Sequence, residues 1–132
     1  MDTKIKAEWI SALRSGEYEQ GKGRLATTDL DTRVTSYCCL GVLCEISPVV
    51  EQVIPESGDE SRPRFQSVED PEDSDSALLP HSVRKWAGME SWGGSLLIES
   101  RGQSWTLPNL NDEEAAGALT FSQIADLIEY FL

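Results

Sequence analysis

The stretch Tyr37-Cys38-Cys39-Leu40-Gly41-Val42-Leu43-Cys44-Glu45-Ile46 decides how the rest of the chain is read. Placed on a helix at about 100° per residue, its apolar side chains point almost all the way round. Leu40, Val42, Leu43 and Ile46 cover most of the circumference. Only Gly41 and Glu45, four residues apart, share a narrow small-or-polar strip. A helix with so little polar surface must be wrapped by the remainder of its domain. Pro48 closes it, because the residue before a proline disfavours the helical region.

Working outward, the 132 residues are enough for one domain with an ordinary core. The composition, 39% hydrophobic and 26% charged, belongs to a globular protein. No apolar run approaches the roughly 20 residues needed to span a bilayer, and MDTKIKAEW contains no signal-peptide core. A cytoplasmic protein without membrane association is expected. The net charge of −12 is unevenly placed. Residues 51–76 hold nine acids against two bases, and 111–132 hold five acids and no base. Such a field disfavours nonspecific binding to nucleic acid, while leaving room for a local basic pocket.

Before the central helix, residues 4–14 read as an amphipathic helix. Ile5, Trp9, Ala12 and Leu13 form its inner stripe, and Gly16 is its stop. The next segment, Glu17-Tyr18-Glu19-Gln20-Gly21-Lys22-Gly23-Arg24-Leu25, places two glycines among cations. Two readings stay open for it. One is a short strand or bulged hairpin with solvated charges. The other is an anion-binding loop whose backbone N–H groups work beside Lys22 and Arg24. Arg33 and Ser36, the latter a candidate N-cap, fall near the start of the buried helix.

After Pro48, the acid-, serine- and proline-rich stretch 51–76 reads as a flexible, solvated insertion whose removal leaves the fold intact. Val53, Ile54 and Phe65 are its only local anchors in this reading. Leu78 to Gly88 reads as a short helix with Leu79, Val83 and Trp86 inward and His81, the single histidine, facing solvent. Leu96–Glu99 and Gln103–Leu107 read as a hairpin, and Pro108 to Asp112 as a polar turn. Thr120 and Gln123 form a capping-box pair in front of a terminal amphipathic helix. The fold class expected is α+β: a single domain over 1–132 with a buried central helix, three or so further helices and a small antiparallel sheet.

Cys38, Cys39 and Cys44 point in three directions on one helix and match no zinc spacing, so packing thiols are expected and no metal or other cofactor. One histidine allows no histidine-dependent pair, and no nucleophile–base constellation can be assembled. A non-enzymatic role follows from this reading.

Three blocks resemble a family of small phage-encoded proteins: WISALRSGEYEQGKGRL (9–25), YCCLGVLC (37–44), and LP…W-x-G followed by LND…TFSQIADLIE. In this chain the last pattern falls on Leu79, Pro80, Trp86, Gly88, Leu110, Asn111, Asp112 and the terminal helix. The insert Glu113-Glu114-Ala115-Ala116 lengthens the turn after LND. The resemblance implies a phage setting, in which interference with host immunity is a natural role. Two partner classes are carried forward, with homo-oligomerisation left open. One is a small nucleotide-type ligand held by Tyr18, Gln20, Gly21, Lys22, Gly23, Arg24, Arg33, Tyr37, Asn111 and Asp112. The other is a host defence protein met by an acidic, nucleic-acid-mimicking surface.

Overall fold

The computed structural model describes residues 1–54, 61–89, 95–98, 103–112 and 119–132. Among them are five helices and eight short strands. They run α1 (Thr3–Arg14), β1 (Glu19–Gln20), β2 (Ala26–Thr28), β3 (Thr35–Tyr37), α2 (Cys39–Ile46), β4 (Val50–Val53), β5 (Arg64–Ser67) and β6 (Ser74–Asp75). Then come α3 (His81–Ala87), β7 (Ser95–Ile98), β8 (Gln103–Thr106), α4 (Leu107–Asp112) and α5 (Phe121–Phe131). The molecule is a small α+β domain.

The buried helix α2 is its centre. Cys39, Leu40, Gly41, Val42, Leu43 and Cys44 are all buried, and α1, α4, β3 and β4 pack around them. The indole Nε1 of Trp9 donates to the Cys39 carbonyl at 2.9 Å, closing α1 onto the start of α2. On the small-or-polar strip, the Gly41 backbone lies directly against the Leu25 carbonyl, so this position is a close-approach site. The helix begins at Cys39 with Cys38 as a cap that has no side-chain bond. Ser36, the cap expected from sequence, and Tyr37 instead lie in β3.

Helix α1 turns Trp9, Ile10 and Leu13 inward and rests on α5. The capping box of α5 is present, with Gln123 N–H donating to Thr120 Oγ1 at 3.2 Å and Thr120 N–H to Gln123 Oε1 at 3.0 Å. Phe121, Ile124, Ala125 and Ile128 are buried along its inner face. Among the described residues the strands form three small sheets. β3 is central in the first, parallel to β1 and antiparallel to β2. The second has the order β4-β5-β6, all antiparallel. The third is the β7–β8 pair, in the place expected for a hairpin.

Two expectations are corrected. Pro108 to Asp112 belongs to the short helix α4 rather than a turn, because Leu107 and Leu110, three apart, are both buried and proline is tolerated in the first helical turn. The flexible insertion expected over 51–76 is folded throughout its described residues, 51–54 and 61–76. Phe65 is 1% exposed, and its strand is paired on both edges. The carboxylates of this stretch cap turns: Asp70 accepts from Glu72 N–H, and Asp75 from Ala77 and Leu78 N–H. Local hydrogen bonding, rather than solvation, is what several of the acids do here. Ile54, by contrast, is exposed.

Candidate functional site

Strand β1 ends at Gln20, and the backbone then turns out of the sheet at Gly21. Gly21 N–H donates to the Tyr37 carbonyl at 2.7 Å, and the Gly21 carbonyl accepts from Asn111 Nδ2 at 2.7 Å. A Cβ at Gly21 would press on the Ser36 side chain, so any larger residue here forces that serine to shift. Asn111 is wholly buried, and it also donates to Asp112 Oδ1 and accepts from Gln20 Nε2 at 3.0 Å. The same Gln20 amide donates to the Leu119 carbonyl and accepts from Phe121 N–H. Gln20 and Asn111, two of the expected ligand contacts, are therefore consumed inside the protein. They form a clip that fixes β1 to α4 and to the start of α5.

Beyond the clip, Lys22 and Gly23 are exposed, and Gly23 takes a left-handed φ of +79° with open space around it. Tyr18 and Tyr37 meet edge to face, with ring centroids 5.6 Å apart. Burial raises the pKa of both phenols, and the Glu45 carboxylate adds to the effect. Gln52 Nε2 bridges the Tyr37 hydroxyl at 3.2 Å and Glu45 Oε2 at 2.7 Å.

The expected cations are not gathered with Lys22. Arg24 is half-buried and donates to Ser76 Oγ at 3.1 Å, tying the loop to the β6 end of the second sheet. Arg33 has a left-handed φ of 61° in the β2–β3 turn, beyond the other end of β3 from Gly21. At about 3.3 Å per residue, four residues of extended chain separate it from Tyr37 by roughly 13 Å. The structure thus brings together Tyr18, Gln20, Gly21, Tyr37, Asn111 and Asp112, with Lys22 and Gly23 projecting beside them.

A separate hollow of about 520 Å³ was not legible in the sequence, because its walls come from three distant segments. Pro48, Val49 and Val68 and the half-buried ring of Trp86 form its apolar walls, and Ser67, Glu69, Ser82 and Lys85 supply polar groups. Two contacts fix these walls. Val68 N–H donates to the Val49 carbonyl at 3.0 Å, and both carboxylate oxygens of Asp73 accept from the start of α3, from His81 and Ser82 N–H at 2.8 Å each. Burial alone would raise the Asp73 pKa, but these N–H groups prevail and hold it below the ordinary value. Among the described residues the buried Ser82 hydroxyl has no partner in hydrogen-bonding geometry, yet it lies close enough to the Asp73 carboxylate to help hold its pKa down.

The three thiols are buried and reduced. Burial pushes Cys38 up to about 11 and raises Cys39 and Cys44 well above the usual thiol range, so none is a ready nucleophile. Among the described residues no three His, Cys, Asp or Glu side chains gather in a metal-binding group. None of the described helices is long and apolar enough to cross a membrane.

Fold and clip together define a small α+β domain built on a buried cysteine-rich helix. The chain matches the model of the family described as Domain of unknown function (DUF8296) over residues 1–132, and it belongs to that family. No curated protein and no solved structure matches it significantly.

Proposed function

We propose that this protein is a non-enzymatic binding module that sequesters a small anionic, nucleotide-type ligand. The phage setting implied by the motif resemblance makes a host immune signal in the host cytoplasm the natural ligand. The observation that carries the reading is the clamped loop. Gly21 is held by the Tyr37 backbone and by Asn111, so exposed Lys22 and Gly23 follow directly from a fixed base in the strand pair that also carries Tyr18 and Tyr37. A rigid base lowers the ordering cost of binding, and an aromatic pair supplies a surface for a nucleobase. In this form the site is narrower than the sequence suggested, with Lys22 as its cation and Arg24 engaged with Ser76 instead.

The test is mass spectrometry of small molecules released by heating the purified protein. Calorimetric titration with cyclic nucleotides and ADP-ribose accompanies it. Lys22→Ala should weaken binding by about tenfold, the lower end of what a charge-assisted hydrogen bond contributes. Unchanged affinity would remove the ligand from this loop.

A second reading, an acidic surface for a host defence protein, is favoured by one observation. The acid-rich segment is a paired sheet in its described part, so exposed Glu51, Glu69, Asp70 and Glu72 are presented on a folded frame. Absence of binding across the whole nucleotide panel would shift the assignment to that reading.

A further inference from the structure

We infer that the hollow between α3 and the second sheet is a binding site for a free α-amino acid with a large apolar side chain. The inference does not depend on the nucleotide reading and concerns a different face of the molecule. Its volume of about 520 Å³ lies within the usual range for small-molecule sites. The charge inventory selects the class. Lys85 and Glu69 both line the hollow, so it carries one positive and one negative group beside two serines and apolar walls. A polyphosphate would meet the single cation together with an opposing carboxylate. An uncharged aromatic would leave both charges unused. A zwitterion satisfies both, with its carboxylate on Lys85 Nζ and its ammonium on the Glu69 carboxylate.

The interior suits the remainder of such a molecule. Trp86 offers a ring face, and Val49, Val68 and Pro48 complete an apolar lining for a side chain. Val68 is 56% exposed, an apolar residue at the rim that a bound side chain would cover. Ser67 supplies direction. It is only 4% exposed, and its Oγ accepts from Glu69 N–H at 3.3 Å and Asp70 N–H at 3.2 Å. The hydroxyl hydrogen is what remains for it to donate, and a ligand carboxylate is a suitable acceptor. The two N–H bonds also fix the backbone that carries Glu69. Asp73 fixes the helix that carries Lys85 and Trp86.

The test uses four probes that share the indole ring and differ in the charged groups they carry: L-tryptophan, indole-3-acetate, tryptamine and N-acetyl-tryptophanamide. Calorimetric titration of the full chain should show L-tryptophan binding most tightly. Each probe lacking one charge should bind about tenfold more weakly, and the neutral amide more weakly still. The variants carry the argument further. Lys85→Gln should erase the difference between L-tryptophan and tryptamine. Glu69→Gln should erase that between L-tryptophan and indole-3-acetate. Trp86→Leu should weaken every probe. Lys22→Gln should change none of them, whereas the nucleotide proposal expects it to weaken nucleotide binding, so failure of either proposal is separable from failure of the other. Equal binding of the four probes, no binding of L-tryptophan, or affinities unmoved by Lys85→Gln and Glu69→Gln would each overturn the inference. Correct folding of each variant is checked by its melting transition.

Discussion

Gly41 has no room for a side chain, and the consequence can be weighed. In an exposed helix, replacing glycine by alanine stabilises by about 1 kcal/mol. At this position the added methyl would collide with the Leu25 carbonyl, a backbone atom that cannot swing aside. Overpacking of that kind costs about 3 kcal/mol, so the clash outweighs the propensity gain. Gly41→Ala should therefore lower stability by about 2 kcal/mol net, read from the midpoint of urea denaturation. A midpoint equal to or above that of the unchanged protein would show that the contact is loose. The neighbouring cysteines fill volume: Cys39 is fully buried with its Sγ 3.6 Å from the Leu107 carbonyl. At this scale the sequence was partly legible. The apolar ring of α2 predicted its burial, but Gly41 was read as a neutral strip, because contact with Leu25 depends on a segment that periodicity does not register.

Helix α3 shows how an element draws its definition from elsewhere. Its cap residue Pro80 offers no side-chain acceptor, and the first N–H groups are satisfied by Asp73, eight residues upstream. At the other end Gly88, with a left-handed φ of 70°, closes the helix as its sequence position predicted. The Asp73 carboxylate has a folded-state pKa below its unfolded value of about 3.9. Its contribution is therefore complete above about pH 4 and is lost as pH falls from there through the folded value. Asp73→Ala should cost about 1 kcal/mol at neutral pH, the usual effect of losing a helix cap. The gap between variant and unchanged protein in thermal melts should narrow as pH falls towards 3. A gap that stays constant from pH 7 to pH 3 would mean that the charged carboxylate is not what caps α3. The elements most legible in sequence were α1 and α5, where a 3.6-residue period runs for two turns or more, and α2, whose apolar residues circle the whole helix. Strands β5 and β6 were not, since each is short and Phe65 is the single large apolar side chain between them.

Across the whole molecule, the first two sheets and the helices are tied together by backbone contacts. Leu25 N–H donates to the Ser76 carbonyl at 2.8 Å, and Thr28 N–H to the Ser61 carbonyl at 2.9 Å. Phe65 sits in the same core cluster as Trp9 and Leu43. Loss of such a phenylalanine costs about 3–5 kcal/mol, against a total stability of about 5–15 kcal/mol for a domain. Replacing residues 61–76 by a short Gly/Ser linker should therefore abolish the cooperative melt followed by circular dichroism, the reverse of what composition implied. A transition retained near the original temperature would mark the second sheet as an appendage. Sequence by itself determined the α+β class, the central position of α2, the amphipathic faces of α1 and α5 and the burial of the thiols, because each depends on residues adjacent in the chain. Tertiary structure alone decided that the described part of the acidic stretch, 51–54 and 61–76, is folded, that Gln20 and Asn111 form an internal clip, that Arg24 is engaged with Ser76 and Arg33 lies at the far end of β3, and that Trp86, Lys85 and Glu69 share one hollow. Each of these depends on which distant segments meet, and a hydrogen bond such as that from Asn111 to Gly21, 90 residues apart, leaves no local signal in composition or spacing.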